Sequence, residues 1–355
     1  MSDRLPAQSV ELVWNKGLAA RCDRRLPDEF AGGNYSTVPT LAGALTSSKT
    51  PDDLVADPWA HSNIQDGELV WVRLSWLKSF VRQILPLVKT KFVLVSGDSD
   101  SCVPSEVMSE ARSILACPNV VHWYTQNYDG SMLGERISPI PIGIDFHMLS
   151  ERPIWGEESA SPTQQEEMLK SIRNQLPPLA SRIPKVYVDF AWQQGLGLRH
   201  YRRYHPLKGT KFHENRRIVA KKMRRNKLVF CQSGPIPRSE MWRQRGQYAF
   251  VLSPHGMGLD CHRTWEALAL GHIVIVTSSS LDSLYEDLPV ITIKSWDDIT
   301  ADALTKWLAQ HQMAVGTHRK LRSGYWIDRM RGATHSQPTA SDVNAGLNIF
   351  RSGLL

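Results

Sequence analysis

The 355-residue chain contains no long apolar run, no paired-cysteine motif and no internal repeat. Without about 18 uninterrupted apolar residues, no membrane span is predicted. Its five cysteines form no C-x-x-C and no Cys/His ligand spacing, which argues against structural zinc and favours a reducing compartment. The first residues do not show the charged-then-apolar order of a secretion signal, so we expect a cytoplasmic location.

Length and charge indicate two domains and one basic patch. A hydrophobic content of 42% supports full cores, and 355 residues exceed the usual size of one domain. Between Arg199 and Lys227 there are 12 Lys/Arg and one acid, a balance of +11 against +7 for the whole chain, which leaves 7 − 11 = −4 elsewhere. The predicted boundaries are 1–155 for an N-terminal acceptor domain, 156–182 for an interdomain linker, 183–325 for a C-terminal donor domain and 326–355 for a tail that packs back on the N-terminal domain.

Residues 248–277 are the most informative stretch and predict strand, glycine turn, helix and strand. The apolar run 248–252 ends at a Ser-Pro pair and is followed by His255, Gly256 and Gly258. Such a turn lets backbone N–H groups approach a ligand closely. Asp260 is predicted as the N-cap of a helix that ends at the C-cap signal Gly271.

Arg263 and Glu266 fall within one turn of this helix and share a face. A cation for phosphate and a carboxylate for ribose hydroxyls suit a sugar nucleotide. The segment resembles the donor site of GT-B glycosyltransferases, in particular exostosins with their Arg-x-x-Glu-Ala-Leu helix, although Val274 replaces a proline of that family. The resemblance implies an α/β fold with two Rossmann-like α/β/α domains facing each other across a cleft. Animal and plant exostosins are Golgi proteins, so the Golgi lumen is the alternative location if an anchor precedes this sequence.

The resemblance also implies a donor diphosphate held by helix N-termini and cations, with no metal and no cofactor besides the nucleotide-diphosphate sugar. Further candidate donor contacts lie in loops after the first two strands of the C-terminal domain. They are Arg199, Arg203, Ser233 and Arg238. The expected partners are a nucleotide sugar and a glycan or glycoprotein acceptor.

The acceptor side is predicted in the N-terminal domain, where an inverting enzyme needs a base near the attacking hydroxyl. Asp98, Asp100, Asp129 and Asp145 all follow strand-like runs. We favour Asp100, with Asp98 as the second candidate. Because a retaining enzyme needs no such base, stereochemistry stays open.

Two alternatives remain. Asp98-Ser99-Asp100 also matches the Asp-x-Asp of metal-dependent GT-A enzymes, in which two carboxylates hold Mn²⁺ or Mg²⁺ on the donor phosphates. Alternatively, the basic segment 199–225 binds nucleic acid through arginines and tyrosines. The first leaves residues 255–271 without a role, and the second has few aromatic residues, so we expect no nucleic-acid partner.

Overall fold

The computed structural model describes residues 10–26, 62–131, 136–190, 216–311 and 318–333, and the statements below concern these residues. They form two α/β units, each built on a five-stranded parallel sheet. This agrees with the fold class that the sequence predicts.

The first sheet follows the order of the sequence, β1-β2-β3-β4-β5. Its strands are β1 (Arg24–Leu26), β2 (Leu69–Arg73), β3 (Phe92–Gly97), β4 (Val120–Thr125) and β5 (Ile137–Pro139). The helices of this half are α1 (Asn15–Arg21), α2 (Met108–Ala116) and α3 (His147–Glu151). The apolar residues between 74 and 88 have helical spacing, which predicts one core-facing helix. Most of these side chains are buried, but the backbone passes through short 3₁₀, α and π turns instead of one α-helix.

The second sheet has the order β10-β9-β8-β6-β7. Its strands are β6 (Ile183–Val188), β7 (Val229–Cys231), β8 (Tyr248–Leu252), β9 (Ile273–Thr277) and β10 (Val290–Ile293). The helices are α5 (Arg216–Met223), α6 (Arg238–Arg245), α7 (His262–Ala269), α8 (Asp282–Tyr285), α9 (Ala301–His311) and α10 (Ser323–Gly332), with α4 (Pro162–Gln175) preceding the sheet. The continuous apolar runs of β8 and β9 are buried because helices cover both faces of such a sheet.

Residues 156–182, which the sequence predicts as an interdomain linker, include a packed helix. Helix α4 begins at a capping box formed by Ser161 and Gln164 and buries Leu169 against the shared core. The Glu166 carboxylate accepts the backbone N–H of Leu12 at 2.7 Å. The helix is therefore packed against the N-terminal segment that contains Leu12.

Helix α10 lies against the first domain although it follows the second in sequence. It contacts α1, and the Ser323 hydroxyl donates to the Leu12 carbonyl at 3.1 Å. Arg331 forms an ion pair with Asp23 at 2.8 Å. The chain thus returns to the domain where it began.

The two sheets face each other through the ends of their strands. Asn127, two residues after β4, accepts the Asp260 N–H at 2.9 Å, and the Asp260 carboxylate accepts the Ile142 N–H at 2.8 Å. Ser280, in the loop after β9, donates to the Tyr128 carbonyl at 2.6 Å. One buried cluster of apolar side chains runs across this interface. The fold therefore places the loops after β8 and β4 in direct contact.

Candidate functional site

The order of the second sheet creates a switch point between β6 and β8. The chain moves from β6 to β7 on one side and then returns to β8 on the other. In open parallel sheets a ligand binds outside the carboxyl ends of the strands at such a point. Asp189 follows β6 and His255 follows β8, so these two positions mark the candidate site.

The glycine turn lies at this switch point, and its two glycines have separate reasons to be glycine. A Cβ on Gly256 would meet Arg216 Nη2 at 2.7 Å, and a Cβ on Gly258 would meet the Asn127 amide at 2.6 Å. The Gly256 N–H donates to the Gly258 carbonyl at 3.0 Å, so this amide closes the turn. Close protein packing therefore explains both glycines, and their contact with a ligand stays a prediction.

Two guanidinium groups lie at the switch point. Arg263 Nε donates to the Asp189 carboxylate at 2.8 Å, and Arg263 Nη1 has no hydrogen-bond partner among the described residues. Arg216 Nε donates to the His255 carbonyl at 2.8 Å. Burial, reinforced by the charge of Arg263, lowers the pKa of Arg216. Because Arg263 shares the Asp189 carboxylate with Arg245, the switch point carries an excess of positive charge that favours an anion.

Sequence reasoning missed Asp189 and Arg216. The signal for Asp189 was its place directly after a clear apolar strand, the same argument that selected Asp100 in the other domain. Arg216 was one of twelve cations in the basic segment, and composition does not distinguish the one that turns inward.

Arg238 and Glu266 are engaged with each other, instead of facing an open cleft. Arg238 Nη2 lies 2.6 Å from Glu266 Oε1, and the two side chains are only 4% and 9% exposed. Arg238 also donates to the Asp145 carbonyl at 2.6 Å, across the domain interface, and its guanidinium lies 4.7 and 4.5 Å from the ring centroids of Trp155 and Trp242. The predicted donor contacts of this pair would need it to open, and they stay predictions.

Electrostatics fix the state of Glu266. Burial raises its pKa, but the adjacent Arg238 and Arg245 outweigh burial and hold it below the ordinary value. The carboxylate is therefore ionised and paired. A Glu266→Ala variant would strand Arg238 in the core, so it is not a clean probe of ligand binding.

The remaining predicted donor residues differ in placement. Ser233 lies in the exposed loop after β7, at the same edge of the sheet as Asp189. His255 is buried beside the glycine turn. Arg199 and Arg203 lie outside the described residues.

The prediction that Asp260 caps the helix is wrong. Cys261 occupies the N-cap position of α7, without a side-chain cap. The Asp260 carboxylate instead accepts Trp265 Nε1 at 2.9 Å and the Ile142 N–H, because its position one residue earlier turns it toward the other domain. Burial raises the pKa of the Cys261 thiol, which agrees with a packing role for this cysteine.

In the first domain, Asp98 and Asp100 differ sharply. Asp98 Oδ2 lies 2.9 Å from Arg73 Nε, and Oδ1 accepts the Asn15 amide at 3.0 Å. Both oxygens of Asp98 are thus engaged, which argues against the metal-binding Asp-x-Asp alternative. Asp100 is exposed, two residues farther along the loop.

One group of side chains at the interface has the composition of a cation site: Asp145, His147 and His262, whose ligand atoms lie within 4.8 Å of one another. Burial raises the pKa of the Asp145 carboxyl, but His147, His262 and Arg238 outweigh burial and hold this pKa well below its usual range. The ring centroids of the two histidines are 5.8 Å apart. The site joins the end of the first domain to the start of α7.

The described part of the basic segment, residues 216–225, does not form one uniform binding face. Arg216 turns inward, whereas Lys222 pairs with Asp297 at 2.6 Å beside an open cavity of about 560 Å³. That cavity lies away from the switch point. In the part of the chain that the structure describes, no helix is both long and apolar enough to cross a membrane.

Comparison with known proteins gave structural matches only. No protein-family model and no curated protein sequence matches the chain. A Burkholderia vietnamiensis α,α-trehalose-phosphate synthase (UDP-forming) matches at 10% identity and a TM-score of 0.36, over 81% of this chain and 73% of that one. The enzyme from Burkholderia multivorans matches at 10% identity and a TM-score of 0.35, over 80% and 72%.

An E. coli structure described as bound with UDP-2-fluoro glucose matches at 10% identity and a TM-score of 0.32, over 81% and 73% of the two chains. These scores are too low to support an argument about fold or activity, and the exostosin resemblance is not confirmed by them. The fold assignment rests on the two parallel sheets and their facing edges.

Proposed function

We propose that this chain is a glycosyltransferase that moves a sugar from a nucleotide-diphosphate donor to a hydroxyl of a glycan or other acceptor. The observation that carries the proposal is the switch point between β6 and β8, where Arg216 contacts the glycine turn and Arg263 is held by Asp189. A diphosphate supplies the negative charge that this edge lacks, and the site faces a second domain that receives the acceptor. The motif resemblance to exostosins supports the same activity.

In this proposal the diphosphate leaves without help from a metal ion. Arg263, with Nη1 unpaired among the described residues, neutralises the charge that develops on the leaving group. Gly256, Gly258 and Ser233 line the approach, and Glu266 reaches the ribose if its pair with Arg238 opens. In an inverting reaction Asp100, which is exposed, accepts the proton of the attacking hydroxyl.

The test is a thermal-shift panel of UDP, GDP, CDP and their sugars, with and without EDTA. A ligand at one hundred times its Kd stabilises the folded chain by about 2.7 kcal/mol. We expect one nucleotide class to raise the Tm, equally in EDTA. No shift with any of them would remove the proposal.

Arg263→Gln is the sharpest variant, and Arg243→Gln is its matched control. Arg243 lies on the exposed face of α6, with a side chain 52% exposed. Loss of a charge-assisted hydrogen bond costs about 1.5–3 kcal/mol, so nucleotide affinity should fall roughly ten- to a hundredfold in Arg263→Gln and remain unchanged in the control. Equal affinities in both variants would place the phosphate elsewhere.

Turnover separates binding from catalysis. Asp100→Asn should keep the nucleotide shift and lose most sugar transfer, because an amide cannot accept the hydroxyl proton. Full transfer by this variant would exclude Asp100 as the base.

A further inference from the structure

The Asp145, His147 and His262 cluster joins residues that are far apart in sequence. Asp145 and His147 lie where the first domain ends, and His262 is the first residue of α7. Their ligand atoms come within 4.8 Å of one another. Neither the proposed sugar transfer nor the donor contacts use these three side chains.

The orientation of His262 suits a metal ligand. Its Nδ1 lies 2.7 Å from the Gly143 carbonyl, which only accepts, so Nδ1 carries the hydrogen. Nε2 then keeps its lone pair. A ligating histidine usually donates its other ring N–H to a carbonyl or carboxylate in this way, which fixes tautomer and ring direction.

The Gly143 carbonyl is itself held firmly. Gly143 has a φ of +70°, and the neighbouring Ile144 N–H donates to the Val13 carbonyl at 2.8 Å. A Cβ at this position would meet the Val13 carbonyl oxygen at 2.2 Å, so only glycine fits. The backbone that orients His262 is therefore fixed before any ion binds.

The contact between His147 and Asp145 is a second indication of a metal site. His147 Nδ1 lies 2.9 Å from Asp145 Oδ1, yet this buried nitrogen makes no hydrogen bond of acceptable geometry among the described residues. Ligand atoms around an ion with bonds of about 2.0–2.1 Å are separated by about 2.9–3.4 Å. The contact thus has the spacing of two ligands that share an ion.

The types of the three side chains indicate which class of metal ion the cluster can bind. Two imidazoles and one carboxylate suit divalent transition metals such as Zn²⁺, whereas Mg²⁺ and Ca²⁺ prefer oxygen ligands. The nearby guanidinium of Arg238 is paired with Glu266 at 2.6 Å, so its charge is offset. The carboxylate of Asp145 remains to balance the ion.

We propose that Asp145, His147 and His262 bind one divalent transition-metal ion that links the two domains. Three protein ligands leave at least one coordination position for water or another small ligand. The proposal replaces the expectation of no metal for this cluster. It is independent of the proposed transfer, and it leaves the donor diphosphate to the arginines.

The test is Zn²⁺ titration of the chelator-treated full chain without nucleotide, by competition with a chromophoric chelator. We expect one tightly bound ion per chain and a higher Tm when it binds. His147→Gln and His262→Gln should each lower the affinity on the order of a hundredfold. His311→Gln, which removes a histidine from α9, is the matched control and should bind as the parent chain does.

Two further measurements make the outcome decisive. Thermal unfolding in chelator shows whether each variant folds, and Asp145→Asn, which keeps the side-chain shape, supplies a third ligand change. Co²⁺ in the site should give visible d–d bands and no thiolate-to-metal charge-transfer band. A strong thiolate-to-metal band, unchanged affinity in the histidine variants, or no binding by the parent chain would each overturn the proposal. Because no nucleotide is present, its failure is separate from failure of the transferase proposal.

Discussion

The carboxyl edges of the two sheets are built for different tasks. In the first domain, the residues after the strands are acids and amides that contact protein: Asp98 pairs with Arg73, and Asn127 binds Asp260. In the second, Arg263 and Arg245 share one carboxylate, Asp189, and Arg216 donates to the His255 carbonyl. The first edge is satisfied internally, whereas the second keeps positive charge that an anion can use.

Glycines show the same difference between the edges. Gly143, near the end of the first domain, and Gly234, in the loop after β7, both have positive φ, of 70° and 77°. A Cβ on Gly143 would collide with backbone, whereas a Cβ on Gly234 would have no atom of the described residues within 4 Å. Described residues pack closely around the first position and not around the second.

Alanine at these two glycines gives the largest expected contrast. Because both positions have a positive φ, alanine costs about 1 kcal/mol in backbone strain at each of them. Gly143→Ala adds a clash with the Val13 carbonyl and should cost about 4 kcal/mol or more in the free energy of unfolding. Denaturant titration measures both, and similar losses would contradict the packed interface.

Breaking the buried pair of Arg238 and Glu266 should have the next largest effect on the free energy of unfolding. Arg238→Met leaves the Glu266 carboxylate without its main partner and should cost about 3–5 kcal/mol. Arg243→Met on the same helix removes an exposed partner of Glu240, 3.9 Å away, and should cost under about 0.5 kcal/mol.

The double variant Arg238→Met/Glu266→Gln completes a thermodynamic cycle for this pair. Once the carboxylate is replaced by a neutral amide, removal of the guanidinium should cost less than it does alone, because no uncompensated charge remains. Strict additivity of the two changes in the free energy of unfolding would show that Arg238 and Glu266 act independently. The ion pair would then not stabilise this part of the interface.

Each domain also has a histidine with a lowered pKa, which gives a pH-dependent test. Burial, aided by Arg329 and Arg136, lowers the pKa of His122 on β4 to about 4. His272, just before β9, is likewise lowered, by burial and then by Arg182. An unfolded histidine near 6.5 binds its proton first, so stability present above this pH is lost as the pH falls toward 4.

For His122 the loss between pH 6.5 and 4 should reach about 3 kcal/mol. His122→Gln removes this titration and keeps a polar group near Ser138, which lies 2.9 Å from Nε2. The variant should therefore lose less stability on acidification than the parent chain, with His272 still contributing in both. Identical pH profiles by chemical denaturation would show that His122 is charged when folded.

In both domains the strands could be predicted from the sequence, whereas the side-chain contacts at the strand ends could not. The apolar runs of β3, β4, β8 and β9 could be placed because local pattern determines buried parallel strands. The pairing of Asp98 with Arg73 could not be predicted, because it depends on β2 and β3 being neighbours in the sheet. The Asp145–His147–His262 cluster was missed for the same reason, since residues 145 and 262 belong to different domains.

The tie between α10 and the first domain should give the smallest effect. Arg331 contacts both oxygens of Asp23, at 3.0 and 2.8 Å, but its side chain is 43% exposed. Solvent and salt screen such a pair, so Arg331→Gln should cost about 0.2–1 kcal/mol, and less at high salt. Asp23 still accepts the Leu69 N–H at 2.8 Å after this change, so no buried group is stranded. A loss above about 2 kcal/mol would mean that the returning helix, more than the facing sheet edges, holds the two domains together.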